Sequence, residues 1–184
     1  MEIAQLVKEA KQGSATAQQC IFNLLGEKMM LVCLRYVKSR EDAEEVLLDG
    51  FYKFFTNLQV FTFQGEVALY AWLKKIMVNE CLMLLRKKNA FTIVTEGEIA
   101  DVPLEEVALD NLSAKEIMGL ILQLPVGYRT VFNLFVVDGL EHREIAYLLG
   151  ITEGTSRSQL NKAKLLLQKN LLQKGTHYVK RQSS

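Results

Sequence analysis

Apolar residues recur at three-to-four spacing along most of the chain, with polar residues filling the positions between them. Ala43, Val46, Leu47, Phe51, Phe54, Phe55 and Leu58 make one apolar helical face. Ser39-Arg-Glu-Asp42 starts that helix in the manner of a capping box, with the Ser39 hydroxyl placed to accept from the third helical N–H. A second amphipathic run holds Leu69, Trp72, Leu73, Ile76, Leu84 and Leu85 and ends in Arg86-Lys87-Lys88. Gln59 to Glu66, with Gly65, breaks the pattern between these runs and reads as a loop. Ile3 to Ala10 and Ser14 to Val37 supply two earlier helices. A further group of helices starts at a second capping box, Ser113-Ala-Lys-Glu116. Pro125 ends its first helix and pre-sets the backbone for the next. Gly139 and Gly150 fall where helix C-termini need a left-handed residue. No stretch alternates as a strand does, so the pattern predicts an all-α chain of two small helical domains.

Charge along the chain sharpens that division. Residues 1–89 hold 12 Lys and Arg against 10 acids, a net of +2. Residues 90–112 hold six acids (Glu96, Glu98, Asp101, Glu105, Glu106, Asp110) and no Lys or Arg. Residues 113–184 hold 10 basic residues against 5 acids. The middle segment, with Pro103, therefore reads as a flexible acidic linker that either spaces two basic lobes or only tethers them. The expected boundaries are 1–89, the linker 90–112, 113–175, and a basic tail at 176–184. At 184 residues, 49% hydrophobic, with 2 Pro and 11 Gly, the chain is excluded from the disordered, collagen-like and large multidomain classes. Cys20, Cys33 and Cys81 lack metal-ligand spacing and read as reduced core thiols. The N-terminus is charged from Glu2 onward, and no apolar stretch reaches the ~20 residues of a membrane span, so a cytoplasmic chain without membrane insertion is expected.

The most specific local signal runs from Glu144 to Leu160. Ala146 is small where two helices must approach, Gly150 makes a tight turn, Ile151 plugs the gap beneath it, and Thr152 can cap a second helix. Ser156, Leu160, Ala163 and Leu167 then face inward, although the polar Ser156 occupies a slot that Val would fill better. Arg157, Ser158, Asn161 and Lys162 face outward. A second helix that presents basic and amide groups suits the DNA major groove, where Arg can reach guanine and Asn can pair with adenine. After Glu153 the chain has no acid, which favours phosphate neutralisation. An ordinary helical hairpin with a solvated basic face is the competing reading.

The first lobe carries Phe61, Phe63, Tyr70 and Trp72 in and beside the Gly65 loop, and Asn79 in an otherwise apolar helix before Arg86-Lys87-Lys88. Each aromatic alone is an ordinary core residue. Aromatics beside cations also provide the flat faces and positive charge that single-stranded nucleic acid requires, and an amide can read the edge of an unstacked base.

These blocks resemble the extracytoplasmic-function (ECF, group 4) sigma factors of bacterial RNA polymerase, from about Val7 to about Leu172. Asp42-Ala-Glu-Glu-Val-Leu with Phe51-Tyr-Lys-Phe-Phe is similar to region 2.2. Phe63-Gln-Gly-Glu, Trp72-Leu-Lys-Lys-Ile, Asn79-Glu-Cys-Leu and Leu85-Arg-Lys-Lys are similar to regions 2.3 and 2.4. Leu124-Pro, Tyr128-Arg-Thr-Val-Phe and the helix-turn-helix are similar to region 4. The wording of Val78-Asn-Glu-Cys-Leu-Met and of Glu153-Gly-Thr-Ser-Arg-Ser-Gln-Leu most resembles members from Bacteroidetes-type bacteria. Gly13-Ser14 stands where the family usually has Gly-Asp, Leu48 where Gln is frequent, Met83 where Asp is common, and Glu141 where Ser or Thr is usual.

The resemblance implies a promoter-specificity subunit. Asp42, Glu45, Leu48, Asp49 and Lys53 would dock on the polymerase, whose β′ clamp and β flap are the implied partners. Phe63, Tyr70, Trp72, Asn79, Arg86, Lys87 and Lys88 would capture the single-stranded −10 element. Thr155, Arg157, Ser158, Gln159, Asn161 and Lys162 would face the −35 duplex. Promoter DNA and an anti-sigma factor complete the implied partners, and the acidic linker would thread toward the RNA exit path. A stand-alone helix-turn-helix regulator with a sensing or dimerising first lobe is the alternative function. Catalysis is not expected: His142, read as a surface residue at a helix start, and His177 lack a nucleophile or carboxylate partner. No phosphate-binding loop or metal-ligand spacing implies a cofactor or metal.

Overall fold

A computed structural model of the chain describes residues 2–88 and 113–182. They belong to two compact units, Met1–Asn89 and Ala90–Ser184. The acidic segment 90–112 and the side chains of the tail 176–184 lie outside the described residues. Among the described residues every regular element is a helix, in agreement with the all-α expectation.

The first unit consists of α1 (Ile3–Lys11), α2 (Ala15–Val37), α3 (Arg40–Thr56), a 3₁₀ turn (Leu58–Val60) and α4 (Glu66–Lys87). Helix starts follow the caps read from sequence: the Ser39 hydroxyl accepts from Asp42 N at 3.3 Å. The Ser14 hydroxyl, not singled out as a cap by the sequence pattern, accepts from Ala17 N at 3.3 Å. Helices α2, α3 and α4 pack around Ile21, Met29, Tyr36, Phe54, Leu69, Leu73 and Met77, all fully buried. α3 approaches α4 closely at Gly50, where the Met77 thioether occupies the space a Cβ would need.

Rings then run across the unit from α2 through α3 to α4: Phe22 meets Phe51 at 4.7 Å, and Phe54 meets Trp72 at 5.0 Å between centroids. Cys33 and Cys81 are buried in the same core, with Cys81 Sγ 3.9 Å from the Cys33 carbonyl. Hydrogen bonding to Cys33 and burial push the Cys81 thiol well above the ordinary thiol range. It therefore stays protonated and inert, as a core thiol should.

The second unit consists of α5 (Ala114–Gln123), α6 (Val126–Phe132), a π turn (Asn133–Val137), α7 (His142–Leu149) and α8 (Glu153–Gln182). Ser113 and Glu116 close the capping box: the Ser113 hydroxyl accepts from Glu116 N at 3.3 Å, and Ser113 N donates to the Glu116 carboxylate at 2.9 Å. Pro125 separates α5 from α6, and the Arg129 guanidinium donates to the Leu124 carbonyl at 2.9 Å, satisfying a group orphaned at the end of α5. Arg129 is only 3% exposed, and that desolvation lowers its basicity. The π turn ends with Asp138 N donating to the Asn133 carbonyl at 2.9 Å, and Gly139, at φ +73°, turns the chain into α7.

Candidate nucleic-acid interface

In the second unit the α7–α8 corner is built as the sequence suggests. Gly150 is left-handed (φ 67°, ψ 34°), and Ile151 N donates back to the Ala146 carbonyl at 3.1 Å. The Thr152 hydroxyl accepts from Thr155 N at 3.0 Å and meets the Thr155 hydroxyl at 2.9 Å, which caps α8. Ser156, Leu160 and Ala163 are buried against the unit's core, and Leu167 is half-buried, while Gln168 turns inward beside it. Arg157, Ser158 and Asn161 are exposed.

Two residues expected on that outer face are less available. Gln159 is half-buried, its carboxamide lying over Gly127 of α6, and Lys162 is half-buried. Arg157 pairs with Glu153 one turn back at 2.8 Å.

Ser156 acquires a physical reason. Its hydroxyl lies 2.8 Å from His142 Nδ1, and the His142 ring stacks on Phe135 at 4.5 Å between centroids. His142 is thus half-buried and bridges α7 to α8, not the surface residue its sequence context suggests. A Val at position 156 would strand that ring nitrogen.

In the first unit α4 organises the candidate residues. Leu69, Leu73, Met77, Cys81 and Leu85 face the core, which leaves Lys75, Asn79, Met83 and Arg86 exposed on the opposite side and Trp72 half-buried at its edge, against Phe54. Asn79 sits in the middle of that outward stripe, flanked one turn away by Lys75 and Met83. Lys75 was missed in the sequence reading, although its four-residue spacing from Asn79 is a legible signal. Tyr70 is nine residues from Asn79, about two and a half turns at roughly 3.6 residues per turn, so it projects from the other side of α4. The structure therefore lines up Asn79 and Arg86 on one exposed face, with the half-buried Trp72 at its edge, and keeps Tyr70 apart from them.

Trp72 is half-buried, stacked on Phe61 at 4.6 Å with 7° between the ring planes. Phe63 is half-buried in the loop beyond Phe61, and Gly65 (φ +105°) lets the loop turn into α4. At the far end of α4, Lys87 is exposed and Lys88 pairs with Asp42 at 2.6 Å.

Of the proposed docking residues, Glu45, Leu48 and Asp49 share the outward face of α3, while Asp42 and Lys53 turn toward α4. Glu45 and Asp49 are exposed, and Leu48 is 61% exposed. Asp42 holds Lys88, and Lys53 pairs with Glu80 of α4 at 2.7 Å. Tyr52, one turn from Leu48 and 72% exposed, extends this face and was not anticipated. Among the described residues no cluster of His, Cys, Asp or Glu could hold a metal ion, and no helix is long and apolar enough to cross a membrane.

Comparisons with known proteins follow the two units. The Sigma-70 region 2 family matches residues 22–91, and the Sigma-70 region 4 family matches residues 109–167. The chain is 29% identical over 184 aligned residues to the ECF RNA polymerase sigma factor SigW of Bacillus subtilis, covering 93% of this chain and 97% of that protein. It is 27% identical to the ECF RNA polymerase sigma-E factor of Haemophilus influenzae, covering 90% of this chain and 93% of that protein. Among solved structures, the sigma factor RpoE in complex with the anti-sigma factor NepR from Bartonella quintana shares the fold, at a TM-score of 0.50 and 20% identity, over 84% of this chain and 96% of that one.

Proposed function

The chain belongs to the sigma-70 family as an extracytoplasmic-function (ECF) sigma factor, and we propose on that premise how its two units divide promoter recognition. As such a factor it binds core RNA polymerase and directs it to specific promoters. In our reading α8 enters the major groove of the −35 duplex through Arg157, Ser158 and Asn161, with Gln159 and Lys162 at the margin and Thr155 holding the corner. The outward face of α4, with the Phe63 loop beside its start, receives the −10 element once it is single-stranded.

The observation that carries this division is the exposed line Lys75, Asn79 and Arg86 along α4, with the half-buried Trp72 at its start. It puts an aromatic support, an amide and two cations along one line. Such a line supports stacking, base-edge hydrogen bonding and backbone neutralisation at once. Lys87 and Lys88 extend the cationic end, while Tyr70, on the opposite side of α4, stands outside this line. The exposed α3 face with Glu45, Leu48 and Asp49 supports polymerase docking, with Leu48 and Tyr52 supplying an apolar centre and Asp42 and Lys53 its edges.

We take the protein to be cytoplasmic and non-catalytic, the polymerase making every bond. An anti-sigma factor is proposed as a further partner, on the ground that exposed Leu48 and Tyr52 present an apolar face for it to cover. The wording of the motifs supports, as a further proposal, kinship with members from Bacteroidetes-type bacteria. The linker 90–112 is proposed to follow the RNA exit path, its acids standing in for nucleic acid.

Reconstituted opening with core polymerase tests the division. Asn79→Ala is expected to lower permanganate reactivity of the −10 segment while duplex affinity is kept, and Arg157→Ala to weaken duplex binding with opening of the bound fraction kept. Unchanged opening in Asn79→Ala would remove the α4 assignment. Binding to palindromic half-sites without polymerase would instead favour a stand-alone regulator.

A further inference from the structure

The last residue of α1 touches the aromatic loop twice. Lys11 Nζ donates to the Phe61 carbonyl at 2.5 Å, and the Gln59 side-chain amide donates to the Lys11 carbonyl. The second bond uses a carbonyl that the end of α1 would otherwise leave without a partner. Both ends of one residue are thus committed to a segment about fifty positions away in the chain. Leu58, fully buried, seats the beginning of the segment, and the Phe61 ring stacks on Trp72. Beyond Phe61 only Thr62, Phe63 and Gln64 span the gap to Gly65, where α4 begins. Thr62 and Gln64 are exposed and Phe63 is half-buried. The position of Phe63 is therefore set at its near end by how firmly Phe61 is held.

We propose that Lys11, assisted by Gln59, is a positioning residue for capture of the −10 element. It clamps the Phe61 backbone so that Phe61 stays stacked on Trp72 and Phe63 stands ready beside the outward face of α4. The inference rests on the reading of Phe63 and α4 given above. A charge-assisted hydrogen bond to a carbonyl is stronger than a neutral one, which suits a clamp made by one flexible side chain. Preorganisation is the physical benefit, since a loop already ordered loses less entropy when a base docks on it.

Trp72 is the chain's single tryptophan, so its fluorescence reports on this contact without labelling. In the free full-length chain, Lys11→Met is expected to shift Trp72 emission to the red and increase its quenching by acrylamide, with helicity and thermal midpoint kept. With core polymerase present, promoter opening should fall about tenfold, the effect of losing one charged hydrogen bond, with polymerase association unchanged. Lys11→Arg should restore emission and opening together, and Gln59→Ala should move both in the Lys11→Met direction.

The proposal is overturned if Lys11→Met leaves Trp72 emission unchanged. It is also overturned if opening falls without a change in emission, which would make Lys11 a charge that meets DNA, or if emission shifts while opening holds. Should Lys11→Met not fold, Gln59→Ala, whose side chain is exposed, carries the same test. Failure of the underlying reading looks different: Phe63→Ala would then open promoters normally while Lys11→Met still shifts Trp72.

Discussion

Gly50 and Gly119 both lie inside helices, and the same substitution should act on them in opposite directions. Replacing a helical Gly by Ala gains up to about 1 kcal/mol from backbone entropy and helix propensity wherever the new methyl meets nothing. At Gly119 of α5 nothing lies within 4 Å of an added Cβ. At Gly50 the same atom would stand 2.4 Å from Met77 Sδ, so the end of that fully buried side chain must repack within the core to make room. Overpacking of this kind costs about 1–3 kcal/mol, which outweighs the propensity gain. Gly119→Ala should therefore raise the stability of its unit by about 0.5–1 kcal/mol, read by circular dichroism during urea unfolding. Gly50→Ala should lower that of its own unit by about 1 kcal/mol, read through Trp72 emission. A stabilising Gly50→Ala would mean that Met77 can swing aside and that α3 and α4 are less tightly joined than their packing implies.

At the scale of the helix, capping and periodicity carried most of the reading. Ser39, Ser113 and Thr152 each cap where their spacing predicts, because a cap is a contact between residues two or three positions apart. The Gly150 corner was legible for the same reason. What sequence could not supply is pairing across elements: Ser156 with His142, Lys88 with Asp42, Lys11 with Phe61. Each joins residues 14 to 50 positions apart, and no local pattern encodes them. The π turn at Asn133–Val137 was also hidden, since one extra residue in a helical turn leaves an apolar pattern almost unchanged. Tyr70 and Asn79 looked like neighbours of one pocket only until the turn of α4 was counted.

Helix α8 carries its own prediction. Glu153 stabilises its N-terminus through the helix dipole and holds Arg157 at 2.8 Å in an exposed pair. Such a pair is worth about 0.3–0.5 kcal/mol, so a phosphate displaces the carboxylate easily. Glu153→Gln should then lower thermal stability slightly and raise affinity for the −35 duplex, most at low salt. An affinity that Glu153→Gln leaves unchanged at low salt would mean that the Glu153 carboxylate does not compete with DNA for Arg157.

For the molecule as a whole, the proposed division has the two units act on different states of the same promoter: α8 on paired DNA, α4 on the strand after separation. If so, Arg157→Ala changes how much polymerase reaches the promoter, and Asn79→Ala changes how often a bound polymerase opens it. At subsaturating polymerase, transcript yield is the product of these two quantities, so the two losses should add as free energies. Independent sites add within about 0.3–0.5 kcal/mol, so additivity can be read once each single substitution costs about tenfold or more. The measurement is a double-mutant cycle on run-off transcription, with core polymerase titrated below saturation. The Arg157→Ala, Asn79→Ala double variant should lose the product of the single losses. A double variant no worse than the weaker single one would place both residues in one step. Because Arg157 and Asn79 lie in different units, that step would have to be a joint engagement of DNA by both units before any strand separates. Raising the polymerase concentration to saturation gives an internal check. The Arg157→Ala defect should then shrink, because occupancy no longer limits yield, while the Asn79→Ala defect should persist, because opening still does.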